Sequence, residues 1–329
     1  MLKKVVMFLL SISFLALSMP ANAVWKGAIN TENKRAVSIL LDSDVVYCSS
    51  GFLYSQRLVF TAAHVLFKEN DIHKEQITKH SSIWVGYPND TLDRGVRRVI
   101  VEKFFIPEGY KSRTAWLGGN RLTRLNDFAV LVLKSPLPLD DKPVELLTKD
   151  LHQKYIENSE QINLTGYGIQ SADQASRECL KRQPRSYEST VTSMSVSAGS
   201  MEFTTTLNTR VGPGMPNLCD GDSGAGFIKI LPDKYIYLGA AGAGSLNQHN
   251  CETHLPAINL ESINGSDPVY LFKELIDQAE KYVKDNPHVE SNTKNADFNG
   301  KKIITCVKGK TIKKVTGLTL KCPKGYKKK

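Results

Sequence analysis

Cys219-Asp220-Gly221-Asp222-Ser223-Gly224 sets a serine between two glycines, with an acid directly before it. That is how a tight loop presents a nucleophile. Glycine reaches backbone conformations closed to other residues, and it lets the N–H groups of a loop converge on one point. Alone, such a Gly/Asp/Ser cluster reads as an ordinary turn. Two further stretches change the reading. Phe60-Thr61-Ala62-Ala63-His64-Val65 puts a histidine at the end of a strand-like run. Leu125-Asn126-Asp127-Phe128-Ala129-Val130-Leu131-Val132-Leu133 puts an aspartate at the head of another. The chain order is histidine, aspartate, serine.

Around these stretches the chain reads as short strands. Ala36 to Leu41, Gly51 to Tyr54, Leu58-Val59-Phe60 and Val96 to Phe105 are apolar pieces. The nearly continuous apolar run after Asp127 suits a buried strand. Ile162 to Gly168 and Val191 to Val196 follow. Phe227 to Leu231 and Tyr235 to Leu238 make a hairpin around Pro232-Asp233. Lys68 to Asp93 and Lys111 to Arg124 are polar. The absence of βαβ alternation excludes a Rossmann or hydrolase-type α/β sheet. One helix is expected: Asp267 as its cap, Pro268 at its first position, then Val269, Leu271, Phe272, Leu275, Ile276, Ala279 and Val283 at helical spacing.

These motifs, in this order, resemble the trypsin/chymotrypsin family of serine endopeptidases, from roughly Val24 to Asp285. The resemblance implies an all-β fold of two antiparallel six-stranded β-barrels, closed by a C-terminal α-helix. It implies that Ser223 is the nucleophile, His64 its general base, and Asp127 the group that orients the imidazole. The backbone N–H groups of Gly221 and Ser223 would form the oxyanion hole. Asn217, six residues before the nucleophile, would lie at the base of the specificity pocket. Gly244 would lie on one wall and Ala257 on the other. A trypsin has an acid at the pocket base; an uncharged Asn217 favours an uncharged or polar side chain before the cut. The wall from Gly239 to Ser245 lacks the family's Ser-Trp-Gly. The resemblance also implies an activation pair, in which the freed amine of Val24 meets Asp222, although Trp25-Lys26 stands where the family has Val-Gly.

The chain has 329 residues and a formal net charge of +10. Lys301 to Lys329 holds eleven lysines and no acid, which leaves everything before it at −1. A nucleic-acid role for the body is therefore not expected. Lys3-Lys4, the thirteen-residue, mostly apolar run from Val5 to Leu17, and Ala21-Asn22-Ala23 read as a cleaved export signal. The apolar run is too short for a membrane anchor. The product is expected outside the cell or at its surface, as a monomer. His73 and His80 read as surface residues, and neither a metal nor a cofactor is expected.

Six cysteines allow fifteen complete pairings. The resemblance favours Cys219 with Cys251. Cys48 occupies one half of a bridge usual in the family, but its partner position is Val65. Cys48 and Cys179 are left to pair with each other or to remain thiols. Asn286 to Gly300 reads as a linker. Beyond it, Val307 to Ile312 and Val315 to Leu320 are β-like pieces between Cys306 and Cys322, which should clip a unit too small for its own core. This tail resembles Lys-rich modules at the C-termini of some bacterial surface or secreted proteins. Adhesion to anionic cell-envelope polymers is one reading of it, and a solubilising tail another. For the whole chain, two readings stand beside a peptidase acting on proteins or peptides: a catalytically silent binding protein, and a surface adhesin.

Overall fold

The computed structural model describes residues 27–30, 32–41, 47–67, 83–87, 97–110, 126–168, 184–193, 197–198, 201–202, 207–212, 215–219, 221–244, 262–288, 302–308, 311–317, 322 and 326–328. The strands of the first half are β1 (Ala28–Ile29), β2 (Ala36–Leu41), β3 (Tyr47–Ser55), β4 (Leu58–Thr61), β5 (Ile83–Tyr87), β6 (Arg97–Phe105), β7 (Ala129–Leu133) and β8 (Val144–Leu146). Those of the second half are β9 (Gln161–Gly166), β10 (Arg185–Thr192), β11 (Ser197–Ala198), β12 (Met201–Glu202), β13 (Leu207–Val211), β14 (Gly226–Ile230), β15 (Tyr235–Ala240), β16 (Ala243–Gly244) and β17 (Ser262–Ser266). The tail holds β18 (Lys302–Lys308), β19 (Thr311–Gly317) and β20 (Lys327–Lys328).

β2-β3-β4-β7-β6-β5 close into a six-stranded barrel. The second half is a nine-stranded sheet in the order β16-β17-β13-β10-β9-β14-β15-β8, with β1 joined to β10. It is larger than the six strands expected, because the short β1, β8 and β16 add to it. The apolar run after Asp127 explains how the halves join. Successive side chains of a strand point to opposite faces. Ala129, Leu131 and Leu133 fill the first barrel with Val59. Val130 and Val132 face the other way, with Phe52, Phe60, Phe128, Phe227 and Tyr237 in the core that joins the two halves. Both faces of β7 are buried, so its backbone is held from both sides where Asp127 enters.

The C-terminal helix is present as a 3-10 turn, Val269–Phe272, followed by an α-helix, Lys273–Asp285. The ring of Phe128 stacks on that of Phe272 at 4.6 Å, which fixes the helix against the entry of β7. The expected cap is not made: Pro268 holds the N-cap position with no side-chain bond to the turn, and Asp267 is used elsewhere. A second α-helix, Lys149–Glu157, was not expected; Thr148 caps it by accepting the N–H of Leu151. It buries only His152 and Tyr155, too few apolar contacts for periodicity to disclose it. The strand expected over Val191 to Val196 is instead β10, six residues earlier in its start. Its buried positions include Arg185 and Ser189 as well as Tyr187 and Val191, so apolar alternation misplaced it.

Tail strands β18, β19 and β20 form a three-stranded sheet that pairs with no other described strand. The expected piece from Val307 to Ile312 is not one strand: Val307 on β18 pairs across the sheet with Ile312 on β19. The expected bridge between Cys306 and Cys322 is formed. Among the described residues, no helix is long and apolar enough to cross a membrane.

Candidate active site

His64 sits in a short 3-10 turn, Ala63–Leu66, directly after β4. The turn is anchored by buried Ala63, Val65 and Leu66, so His64 is the residue left facing the seam. Asp127 grips it twice. One carboxylate oxygen accepts the backbone N–H of His64 at 2.8 Å, and the other meets the ring Nδ1 at 2.7 Å. A carboxylate can only accept here, so Nδ1 carries the proton and Nε2 is left as the basic nitrogen. The side chains are 12% and 5% exposed. Gly242 packs on the far side of the acid; a Cβ there would lie 2.9 Å from Asp127 Oδ2.

The loop of Ser223 is held against this turn. Gly224 takes a φ of 83°, and a Cβ on it would lie 2.1 Å from Thr61 Oγ1 and 3.0 Å from the backbone N of Ala62. Only glycine lets the loop come so close to the strand end that delivers His64. Ser50, on β3, fastens the loop from below. Its N–H donates to the carbonyl of Ser223, its hydroxyl donates to the carbonyl of Gly221, and the same hydroxyl accepts the N–H of Tyr167. Within the loop, the N–H of Asp222 is taken by Cys219, that of Gly224 by Ala241 and that of Ala225 by Asp222. Among the described residues, nothing in the protein takes up the N–H of Gly221 or Ser223. Sequence reading missed Ser50, because nothing local distinguishes a Ser-Ser-Gly run.

Asp222 itself is fully buried. Its carboxylate accepts the N–H of Gly168 at 2.7 Å and that of Cys219 at 2.9 Å. Gly166 and Gly168 leave the space for it. Val24, its expected partner, lies outside the described residues. The described chain begins at Gly27, whose carbonyl accepts from Arg185 at the start of β10.

Below the loop lies a cluster of buried amides. Asn217 Oδ1 accepts the N–H of Leu218 at 2.9 Å and the Nδ2 of Asn264 at 2.8 Å. The same Nδ2 donates to the Tyr187 hydroxyl at 3.1 Å. These bonds fix which end of the Asn264 amide is nitrogen. Its Oδ1 is left buried without a partner. Burial, and then the charge of Asp222, push the Tyr187 hydroxyl well above the usual tyrosine range. Gly244, on β16, pairs with Asn264. Ala257 lies outside the described residues, and Asn264 is the side chain that β17 brings to Asn217. Cys219 is disulfide-bonded and no described cysteine is free; Cys251 lies outside the described residues, as do Cys179, His73 and His80. No group of histidine, cysteine or acidic side chains among the described residues is arranged to hold a metal ion.

A closed six-stranded barrel joined to a second antiparallel-rich sheet, with a paired histidine and aspartate at the seam, defines the two-barrel class of serine proteases. Comparison with protein families matches residues 24–257 to the family described as Trypsin, and the chain belongs to that family. A comparison with curated proteins finds no match.

Proposed function

We propose that this chain is a secreted serine endopeptidase in which His64, Asp127 and Ser223 act as a catalytic triad. The observation that carries the reading is the double grip of Asp127 on His64 beside the Ser223 loop. Ser223 Oγ attacks the scissile carbonyl while His64 Nε2 takes its proton. Asp127 stabilises the imidazolium that results. The carbonyl oxygen, now negative, accepts from the N–H groups of Gly221 and Ser223. His64 then gives its proton to the leaving amine, and the acyl group stays on Ser223. A water molecule, deprotonated by His64, attacks the acyl carbon and returns the enzyme.

Asn217, with Asn264 beside it and Gly244 paired to Asn264 across β16 and β17, forms the base of the pocket for the residue before the cut. Uncharged amides do not neutralise Lys or Arg. The buried Oδ1 of Asn264 seeks a donor, so a side chain with a primary amide or hydroxyl fits best. The export signal places the enzyme outside the cytoplasm, and its removal after Ala23 frees Val24 to pair with Asp222. The Lys-rich tail tethers the enzyme to anionic polymers by charge.

A fluorophosphonate probe tests the chemistry, because only an activated serine reacts. The mature protein should label, and Ser223→Ala and His64→Ala should not. Absence of label on the wild-type protein would favour a silent, protease-like binding domain instead.

A further inference from the structure

Asp267 directly follows β17 and sends its carboxylate to the triad acid. Oδ2 accepts the backbone N–H of Asp127 at 3.0 Å, and the N–H of Asn126 acts on the same carboxylate. Asn126 has a φ of 55°, in the left-handed region that asparagine tolerates better than most residues. Successive N–H groups about such a residue make a concave site for an anion. Here the anion is a side chain of the protein itself. It has little freedom to leave: Asp267 is 8% exposed, Pro268 is bridged to Gly239, and a Cβ on Gly239 would lie 2.7 Å from the Asp267 carbonyl.

We infer that Asp267 is a positioning residue for the hydrolysis: its carboxylate holds the Asn126–Asp127 turn and thereby aims Asp127 at His64. The inference rests on the triad reading above. The facing charges are Asp127, across the backbone bond, and His64 beyond it. Leu207, Gly239 and Gly242, on the strands and loop packed against it, are uncharged. Burial, together with the charge of Asp127, pushes the Asp267 carboxyl up to about 6 against the pull of its backbone bonds. It therefore titrates beside an ordinary histidine, near 6.5. Ionised, it grips the turn and adds a second negative charge behind the imidazolium. Protonated, it is a weaker acceptor and the turn loosens. Two protons, not one, should close the enzyme down in acid.

Asp267→Asn in the full mature chain keeps the shape and removes the charge. Two readouts are taken. The first follows the His64 ring by NMR through a pH titration and needs no turnover; the His64 pKa should be lower in the variant, because a nearby anion favours the charged imidazolium. The second is the pH profile of kcat. At pH 8 kcat should fall about tenfold, the effect of a barrier raised by about one tenfold step in rate, with KM unchanged. The acid limb should be steeper than one proton in the wild type and single-proton in the variant. An unmoved His64 titration together with an unchanged kcat profile would overturn the inference. A moved His64 titration in a protein that turns over no peptide would leave Asp267 in its role and remove the peptidase reading. Should the variant fail to fold, a single-proton acid limb in the wild type overturns the inference by itself.

Discussion

The carboxylate of Asp222 occupies the space that a side chain on Gly168 would need. A Cβ built on Gly168 lies 2.4 Å from Asp222 Oδ2 and 2.5 Å from its Cγ. Real Cβ atoms do not come so near, so Gly168→Ala must expel the acid from its two backbone N–H groups. A buried carboxylate stripped of its partners costs about 3–5 kcal/mol, and the loop that carries Ser223 would lose its support. Stability should fall on that scale, read by chemical denaturation, and fluorophosphonate labelling should slow about a hundredfold or more, as when an oxyanion donor is lost. Labelling at the wild-type rate would mean that Asp222 does not order the loop.

The same acid carries the activation proposal. Gly27 is placed beside β10, which pairs with the strand ending in Gly166, and Gly166 lines the Asp222 carboxylate. Val24, whose freed amine is the proposed partner of that carboxylate, stands three residues before Gly27. A chain that begins Met-Ala-Val24, with both extra residues retained, should be far less active toward a small peptide than one with a free Val24. Its amine would lie two residues too far out to pair. Equal kcat/KM in the two forms would dismiss the pair as the switch.

Asn217→Asp tests the pocket. An aspartate keeps the oxygen that accepts from Leu218 and Asn264, so the fold should survive. It adds the negative charge that a basic side chain needs. Cleavage after Arg and Lys should rise at least tenfold relative to cleavage after uncharged residues, measured across a peptide library. An unchanged profile would place the specificity pocket elsewhere.

How much of this was legible in the sequence depends on how local each signal is. His64, Asp127 and Ser223 announce themselves within short stretches, because the strand end, the strand head and the glycine-flanked turn are each built from neighbours in sequence. Asn264 and Asp267 do not. They reach the site only because β17 pairs with β16 and β13 in one register, and register is not written in any short window. Asp267 even imitates a helix cap, since an acid before a proline is how a helix often begins. The mixed polar and apolar inner face of β10 hid that strand for a related reason: its buried arginine and serine bond to carbonyls on other segments, Gly27 and Arg210, that no window on β10 contains.

The tail should be separable from catalysis. Arg57 donates to the carbonyl of Asn286 at 2.6 Å, so truncation after Asn286 keeps the last described contact of the helix end with the first barrel. The shortened protein should cleave a small peptide with unchanged kcat/KM and lose salt-sensitive retention on an anionic polymer. Retention equal to that of the full chain in low salt would remove the tether.

Asp267 also makes a prediction about stability, opposite in sign to that of an ordinary structural acid. Its carboxyl is raised from 3.8 to about 6, chiefly by burial. Between those values the folded protein holds a proton that the unfolded chain has released. Stability from this group therefore falls as pH rises from 4 to 6, and above 6 the whole cost is present. A shift of this size corresponds to about 3 kcal/mol. Asn at the same position bears no such cost. Asp267→Asn should thus gain stability relative to the wild type as pH is raised from 4 to 7.5, in the same protein that loses kcat. Trading stability for activity in this way is expected of a residue kept for its charge. Denaturant unfolding of both proteins at the two pH values measures it. If the difference between them does not change with pH, the Asp267 carboxylate is not ionised at a cost.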